Sequence, residues 1–175
     1  MAAPFRVVQN TALLLLIFAL GCSKSDRSAG QPAGNEEGAV RQAVTEFQAA
    51  FKHHDVDKLW SLLDSESQAD AERAAKAIQG AYSKATPEQK VEREKALGLS
   101  GAELGALTGS SFLKTKRFYG KYDELADSKI DKVTVQGDEA TVAYTEPDGD
   151  KEKLALVREA GQWKLTLPMP KAAQP

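Results

Sequence analysis

The sequence predicts an α+β domain in which helices come first and an antiparallel sheet follows. Apolar residues recur at three-and-four spacing from residue 40 to residue 82, and from Lys129 onward the period drops to two, with turn residues between the alternating runs. Cap chemistry in the stretch between these regions marks further short helices. Helices followed by a strand meander within one small domain argue for a curved sheet with the helices on its concave face.

Val40, Ala43, Val44, Phe47, Ala50 and Phe51 share one face of the first expected helix, and Glu36 and Glu37 sit where they complement its positive end. After the polar break His53-His54-Asp55, Val56, Leu59, Trp60 and Leu63 repeat the spacing over a shorter helix. Ser65 with Gln68 reads as a capping box for a third, whose inward residues are Ala71, Ala75, Ile78 and Tyr82. Thr86-Pro87-Glu88-Gln89 combines a capping box with proline at the first helical position, and Gly98 supplies the stop. Ser100 with Glu103 starts another helix, which Gly105 and Gly109 should break and leave locally mobile. Val133 and Val135, then Ala140, Val142 and Tyr144, alternate across a Gly137-Asp138 turn before Pro147-Asp148-Gly149 interrupts them. A second hairpin runs through Leu154 and Leu156, turns at Ala160-Gly161, and sets Trp163, Leu165 and Leu167 on one face. Trp60 and Trp163 are expected to be buried in the same core.

Ahead of the domain, residues 12–20 (ALLLLIFAL) form an unbroken apolar run behind Arg6 that stops at Gly21-Cys22, the form of an exported signal segment. The run resembles the bacterial lipobox, which implies cleavage after residue 21 and acylation of Cys22; Ala19 stands where that motif most often has leucine. A cysteine with no second cysteine to pair with fits a modification site. Residues 22–35, beginning with the lipidated cysteine, then read as a flexible tether with a reach of about 20 Å. The folded domain spans 36–168, and 169–175 is expected to be a disordered tail. In the sorting pattern that the motif resembles, Ser23 favours the periplasmic face of the outer membrane over retention at the inner membrane.

Loss of the signal segment removes one base and no acid, taking the formal charge from -2 to -3. Such a balance lacks the basic excess of a general nucleic-acid binder, and no nucleic-acid partner is expected. The hydrophobic fraction of 42% is compatible with one modest core.

The N-terminal segment AVRQAVTEFQAAFKHHDVDKLWSLLD, followed by further helix and by hairpins containing GDEATVAYTE and LALVREAGQWKL, resembles the nuclear transport factor 2-like superfamily, the cystatin-like roll. The resemblance covers residues 36–64 and 129–167; the middle, 65–125, is longer and more helical than is usual for that fold. It implies a cone between helices and sheet, lined in many members by aromatics, and a range of functions from isomerases and cyclases to non-catalytic binding modules.

Phe47, Phe51, Trp60, Tyr82, Tyr144 and Trp163 are therefore the candidate ligand pocket, although they serve equally as core filling, the favoured reading. Lys114, Lys116, Arg117 and Lys121 interleave with Phe112, Phe118, Tyr119 and Tyr122 and form the candidate contact surface, for which inward aromatics and solvated bases are the plainer reading. No spacing recreates the carboxylate base and tyrosine donor of a ketosteroid isomerase, so no catalytic residue and no enzyme activity are expected. Adjacent His53 and His54 diverge by about 100° on a helix and suit helix-end capping rather than metal binding. The segment Glu146-Pro147-Asp148-Gly149-Asp150 lacks calcium-loop register and reads as a hairpin loop. Neither a metal nor a cofactor is expected. Three functional classes follow: an envelope binding or interaction module meeting the membrane through Cys22 and a protein or cell-wall polymer through its surface; a carrier or sensor of a small apolar ligand; and an isomerase- or cyclase-like enzyme. The first is the leading expectation.

Overall fold

The computed structural model describes residues 33–170; the signal segment, Cys22 and nearly all of the tether lie outside them. Among the described residues seven helices precede four strands: α1 (Ala33–Lys52), α2 (Val56–Leu62), α3 (Ser65–Ser83), α4 (Pro87–Leu97), α5 (Gly101–Gly105), α6 (Gly109–Phe112), α7 (Lys116–Asp127), β1 (Lys129–Gln136), β2 (Glu139–Thr145), β3 (Lys151–Glu159) and β4 (Gln162–Thr166). The strands form one curved, unclosed antiparallel sheet in the order β1-β2-β3-β4, which confirms the α+β class. Among the described residues no helix is long and apolar enough to cross a membrane.

All six residues assigned to the inward face of α1 are buried, as are Leu59 and Leu63 after it, and Ala71, Ala75 and Ile78 on α3. Leu154, Leu156, Trp163, Leu165 and Leu167 meet them from the sheet. The helical middle contributes as well. Leu104, Leu107, Phe112, Leu113 and Phe118 are buried, so the glycine-broken stretch is anchored at each turn by a core side chain.

Local chemistry explains the boundaries. The Thr86 and Ser100 capping boxes form as expected, and α4 stops at Gly98, whose φ of 71° is the left-handed conformation that glycine adopts without a Cβ penalty. The β3–β4 turn has positive φ at both Ala160 (49°) and Gly161 (80°), the requirement of a type I′ hairpin, with a non-glycine residue carrying part of it.

Several expectations need correction. Helix α1 begins at Ala33, three residues ahead of Glu36, and takes in the end of the expected tether. Asp64, not Ser65, is the N-cap of α3: its carboxylate accepts from Ser67 N at 2.7 Å. Gln68 instead reaches the carbonyl of Trp60 at 2.8 Å. Trp163 is buried but Trp60 is only partly so, packed against the core from its edge. At the other end Met169 packs on the core, so the ordered domain extends past residue 168.

Long-range polar contacts tie the layers together. Asp64 N donates to Leu165 O at 3.0 Å, Thr166 Oγ1 donates to Asp64 Oδ2 at 2.6 Å, and Leu167 N donates to Ser67 Oγ at 2.8 Å. The start of α3 is thereby bonded directly to β4 and its exit. On the opposite side Gln48 Nε2 donates to Leu125 O and Ser128 O, both at 3.0 Å, closing the C-terminal end of α7.

Candidate functional site

A groove of about 640 Å³ opens between the start of α3, α7 and the sheet. Leu125, Leu154 and Leu167 supply its apolar floor together with the rings of Tyr122 and Tyr144, while Glu66, Asp70, Glu146 and Glu152 stand around it with Lys121 and Lys153. Each wall has a local cause. Thr115 caps α7 through Phe118 N at 3.2 Å, which sets Phe118, Tyr122 and Leu125 on the buried face at helical spacing. Period-two alternation does the same for Val142 and Tyr144 on β2 and for Leu154 and Leu156 on β3.

Pro168 closes one end of the groove. Its carbonyl accepts from the Tyr122 hydroxyl at 2.6 Å and from the Lys121 ammonium. Burial pushes the Tyr122 hydroxyl far above the ordinary phenol range. Tyr144 is pushed up to about 12, first by burial and then by the surrounding carboxylates Glu146, Glu152 and Glu124. Both phenols are therefore neutral at pH 7 and act as hydrogen-bond donors. Glu146 is itself held above the usual carboxylate range, by burial first and then by Glu124, Asp148 and Glu152. Glu124, Glu146 and Asp148 bring carboxylate oxygens within 4.8 Å of one another, an all-oxygen set of the kind that suits a hard divalent cation. Glu124 and Asp148 are exposed and Glu146 half-exposed, so this is an acidic patch on the rim rather than an enclosed cage.

The six aromatics named as a candidate pocket, with core filling as the favoured reading, do not line one groove. Tyr144 lines this groove, whereas Trp163 lines a second one of about 510 Å³ beside α1 and α2. Phe47 and Phe51 lie within the core, their ring centroids 6.0 Å apart, and Trp60 packs at its edge. The Tyr82 hydroxyl donates to Glu94 at 2.6 Å, between α3 and α4. Trp163 is tied down from another direction. Its indole N–H donates to Glu36 Oε2 at 3.1 Å, Arg158 bonds the same carboxylate oxygen, and the guanidinium lies 4.7 Å from the indole ring.

The basic-aromatic segment also divides between core and surface. Phe112, Phe118 and Tyr122 are buried while Lys114, Lys116 and Lys121 are exposed and Arg117 is half-exposed. Lys116 reaches Lys95 O at 3.4 Å, and Lys121 turns toward the groove. His53 and His54 are exposed at the end of α1; the backbone N–H of each donates to the helix carbonyls of Ala49 and Phe51, and the His54 ring packs 4.5 Å from that of Tyr119. The segment from Glu146 to Asp150 is a hairpin loop closed by its own bonds, with Glu146 N on Asp150 O at 2.8 Å and Gly149 N on Glu146 O at 2.9 Å.

The second groove differs in its electrostatics. Its Lys58 pairs with Glu46 at 2.6 Å and its Lys164 donates to the uncharged Ser61 O at 2.6 Å, so its lining carries no acidic excess. The groove at Tyr122 and Tyr144 keeps an acidic excess. No protein-family model matches the chain, and neither the curated proteins nor the solved structures include a match.

Proposed function

We propose that the protein is an exported lipoprotein, anchored through Cys22, whose domain is a nuclear transport factor 2-like roll acting as a non-catalytic binding module of the cell envelope. The groove between α3, α7 and the sheet is its binding face. The observation that carries this reading is the groove's construction: an apolar floor with an open, acidic rim, in which the Tyr122 hydroxyl is already committed to Pro168. Its carboxylate of raised pKa, Glu146, stands on the rim among other acids, an arrangement suited to attracting a ligand rather than to abstracting a proton from one held beneath it. Placement at the periplasmic face of the outer membrane follows from Ser23 after Cys22. The partner is then an envelope component.

Two measurements test the proposal. Cys22→Ser should abolish lipid labelling and move the protein out of the membrane fraction, because acyl chains gain roughly 0.8 kcal/mol per buried methylene and two or more give a stable anchor. Unchanged labelling and fractionation would refute the anchor. For the groove, the neutral apolar dye Nile red should bind the purified protein saturably, and Glu66→Trp or Glu152→Trp, at exposed positions lining the groove, should weaken that binding by filling the space. Dye binding unaffected by both would remove the groove from the proposal.

A further inference from the structure

We propose that the groove takes an extended peptide, added as a strand to the open edge of β3 at Lys151–Leu154, with one side chain on the apolar floor and a basic one at the acidic rim. This deepens the reading of the groove as the binding face and rests on it.

The phase of the sheet exposes that edge. Arg158 N donates to Asp138 O at 2.7 Å and Glu146 N to Asp150 O at 2.8 Å, and the β2–β3 register between them pairs Tyr144 with Glu152 and Val142 with Leu154. Even-numbered residues of β3 therefore turn their backbone N–H and C=O toward β2, and odd-numbered ones turn theirs toward β4. On that side Glu159, Val157 and Ala155 meet Gln162, Lys164 and Thr166, where the ladder ends. The next partner, opposite Lys153, would be Pro168. Proline has no N–H to give, and the carbonyl of Pro168 is occupied by Tyr122 and Lys121. The peptide groups of Lys151 and Lys153 are left beyond the end of the ladder, beside the groove, as a template for strand addition.

Side-chain alternation then specifies the occupant. Leu154 is buried and Glu152 pairs with buried Tyr144, so both belong to the groove face, while Lys151 and Lys153 alternate to the other. A strand laid here sets its alternate residues beside Leu154 and Glu152, where an apolar and a basic side chain are complementary. The charged residues lining the groove are four carboxylates and two lysines, and Lys121 is already engaged at Pro168. Glu124 and Asp148 extend the acidic field behind Glu146. A volume of about 640 Å³ falls within the usual range of ligand clefts and suits a few residues rather than a folded partner.

The test titrates the purified full chain, in mild detergent, with a labelled, end-blocked hexapeptide carrying leucine, lysine and leucine at alternate positions and threonine between them. Fluorescence anisotropy should show saturable binding that weakens about tenfold or more when the peptide's alternate amides are N-methylated, since that removes backbone bonds and keeps the charge. Lysine replaced by glutamate in the peptide should abolish binding, and the Glu146→Gln/Glu152→Gln double variant should weaken it roughly fivefold, most clearly at low salt. Equal affinity for the methylated and parent peptides would overturn strand addition. Failure of the parent peptide while Nile red still binds would overturn the peptide inference and leave the groove standing; failure of both would remove the groove itself. Binding that appears only after deletion of residues 171–175 would assign the edge to the chain's own tail and overturn the proposal as well.

Discussion

At the scale of single residues, the contact among Glu36, Arg158 and Trp163 shows how one side chain joins three elements. Glu36 belongs to the first turn of α1, yet its carboxylate accepts from an indole on β4 and a guanidinium on β3. Trp163→Ala should cost about 3–5 kcal/mol in chemical denaturation, through both the cavity and the lost bond to a charged partner. Trp60→Ala should cost less, about 1–2 kcal/mol, because that ring is only partly buried. Equal losses at the two sites would contradict this packing. The alternation around Trp163 was legible in the sequence because burial on a strand is a period-two property; its bond to Glu36 was not, since 127 residues separate the partners. Ala160 offers a second check. Its φ of 49° costs a residue with a Cβ about 1–2 kcal/mol, partly offset by the greater unfolded-state freedom of glycine, so Ala160→Gly should stabilise the domain by about 0.5–1 kcal/mol. His53→Ala and His54→Ala should lower stability by about 0.3–1 kcal/mol, the latter through loss of its packing on Tyr119, and zinc titration should give the same result before and after the double substitution.

At the scale of elements, the helix starts show when a local signal suffices and when it misleads. Thr86 and Ser100 were legible because a capping box is written within four residues and needs no distant partner. Ser65 and Gln68 have the same spacing, but the carboxylate of Asp64 takes the cap, since it also accepts from Thr166 across the layer, a gain invisible within the local window. Ser65 instead gives its N–H and hydroxyl to Glu159. Asp64→Ala should therefore destabilise the domain by about 2–4 kcal/mol, more than an exposed cap would, because it leaves Ser67 N and Thr166 Oγ1 without their partner. Asp64→Asn keeps an accepting oxygen and should recover part of that loss. A cost below about 1 kcal/mol for the alanine variant would show that the link between α3 and β4 contributes little beyond an ordinary cap. The groove was illegible for the same reason as this link. Its lining runs from Glu66 to Pro168, and only the fold carries the start of α3 and the exit of β4 to one place.

At the scale of the whole molecule, the acidic rim has a consequence for stability that the small net charge conceals. Glu124, Asp148 and Glu152 all face Glu146, which also bonds Tyr144, while Lys121 and Lys153 line the same groove without displacing the acidic excess. The folded state raises the pKa of Glu146 above its unfolded value, so folding binds a proton there more tightly than the open chain does. The stabilising contribution of that proton is present at acidic pH and is lost as pH rises through the folded-state pKa, the reverse of a salt-bridged carboxylate. Glu46 supplies the contrast within the same chain. Its pKa is lowered, chiefly by the bond to Lys58, so its contribution is present above the unfolded carboxylate pKa and is lost as pH falls through the folded value. Glu146→Gln should accordingly raise the melting temperature modestly at neutral pH, and its advantage over the wild type should shrink as pH falls through the carboxylate range and Glu146 becomes neutral. Glu46→Gln should do the opposite, lowering the melting temperature at neutral pH and converging on the wild type in acid. Melting curves of the two variants across that range decide the matter. Parallel pH profiles for Glu146→Gln and the wild type would show that the rim carboxylates do not repel one another in the folded state, and would weaken the case for a basic ligand at the groove.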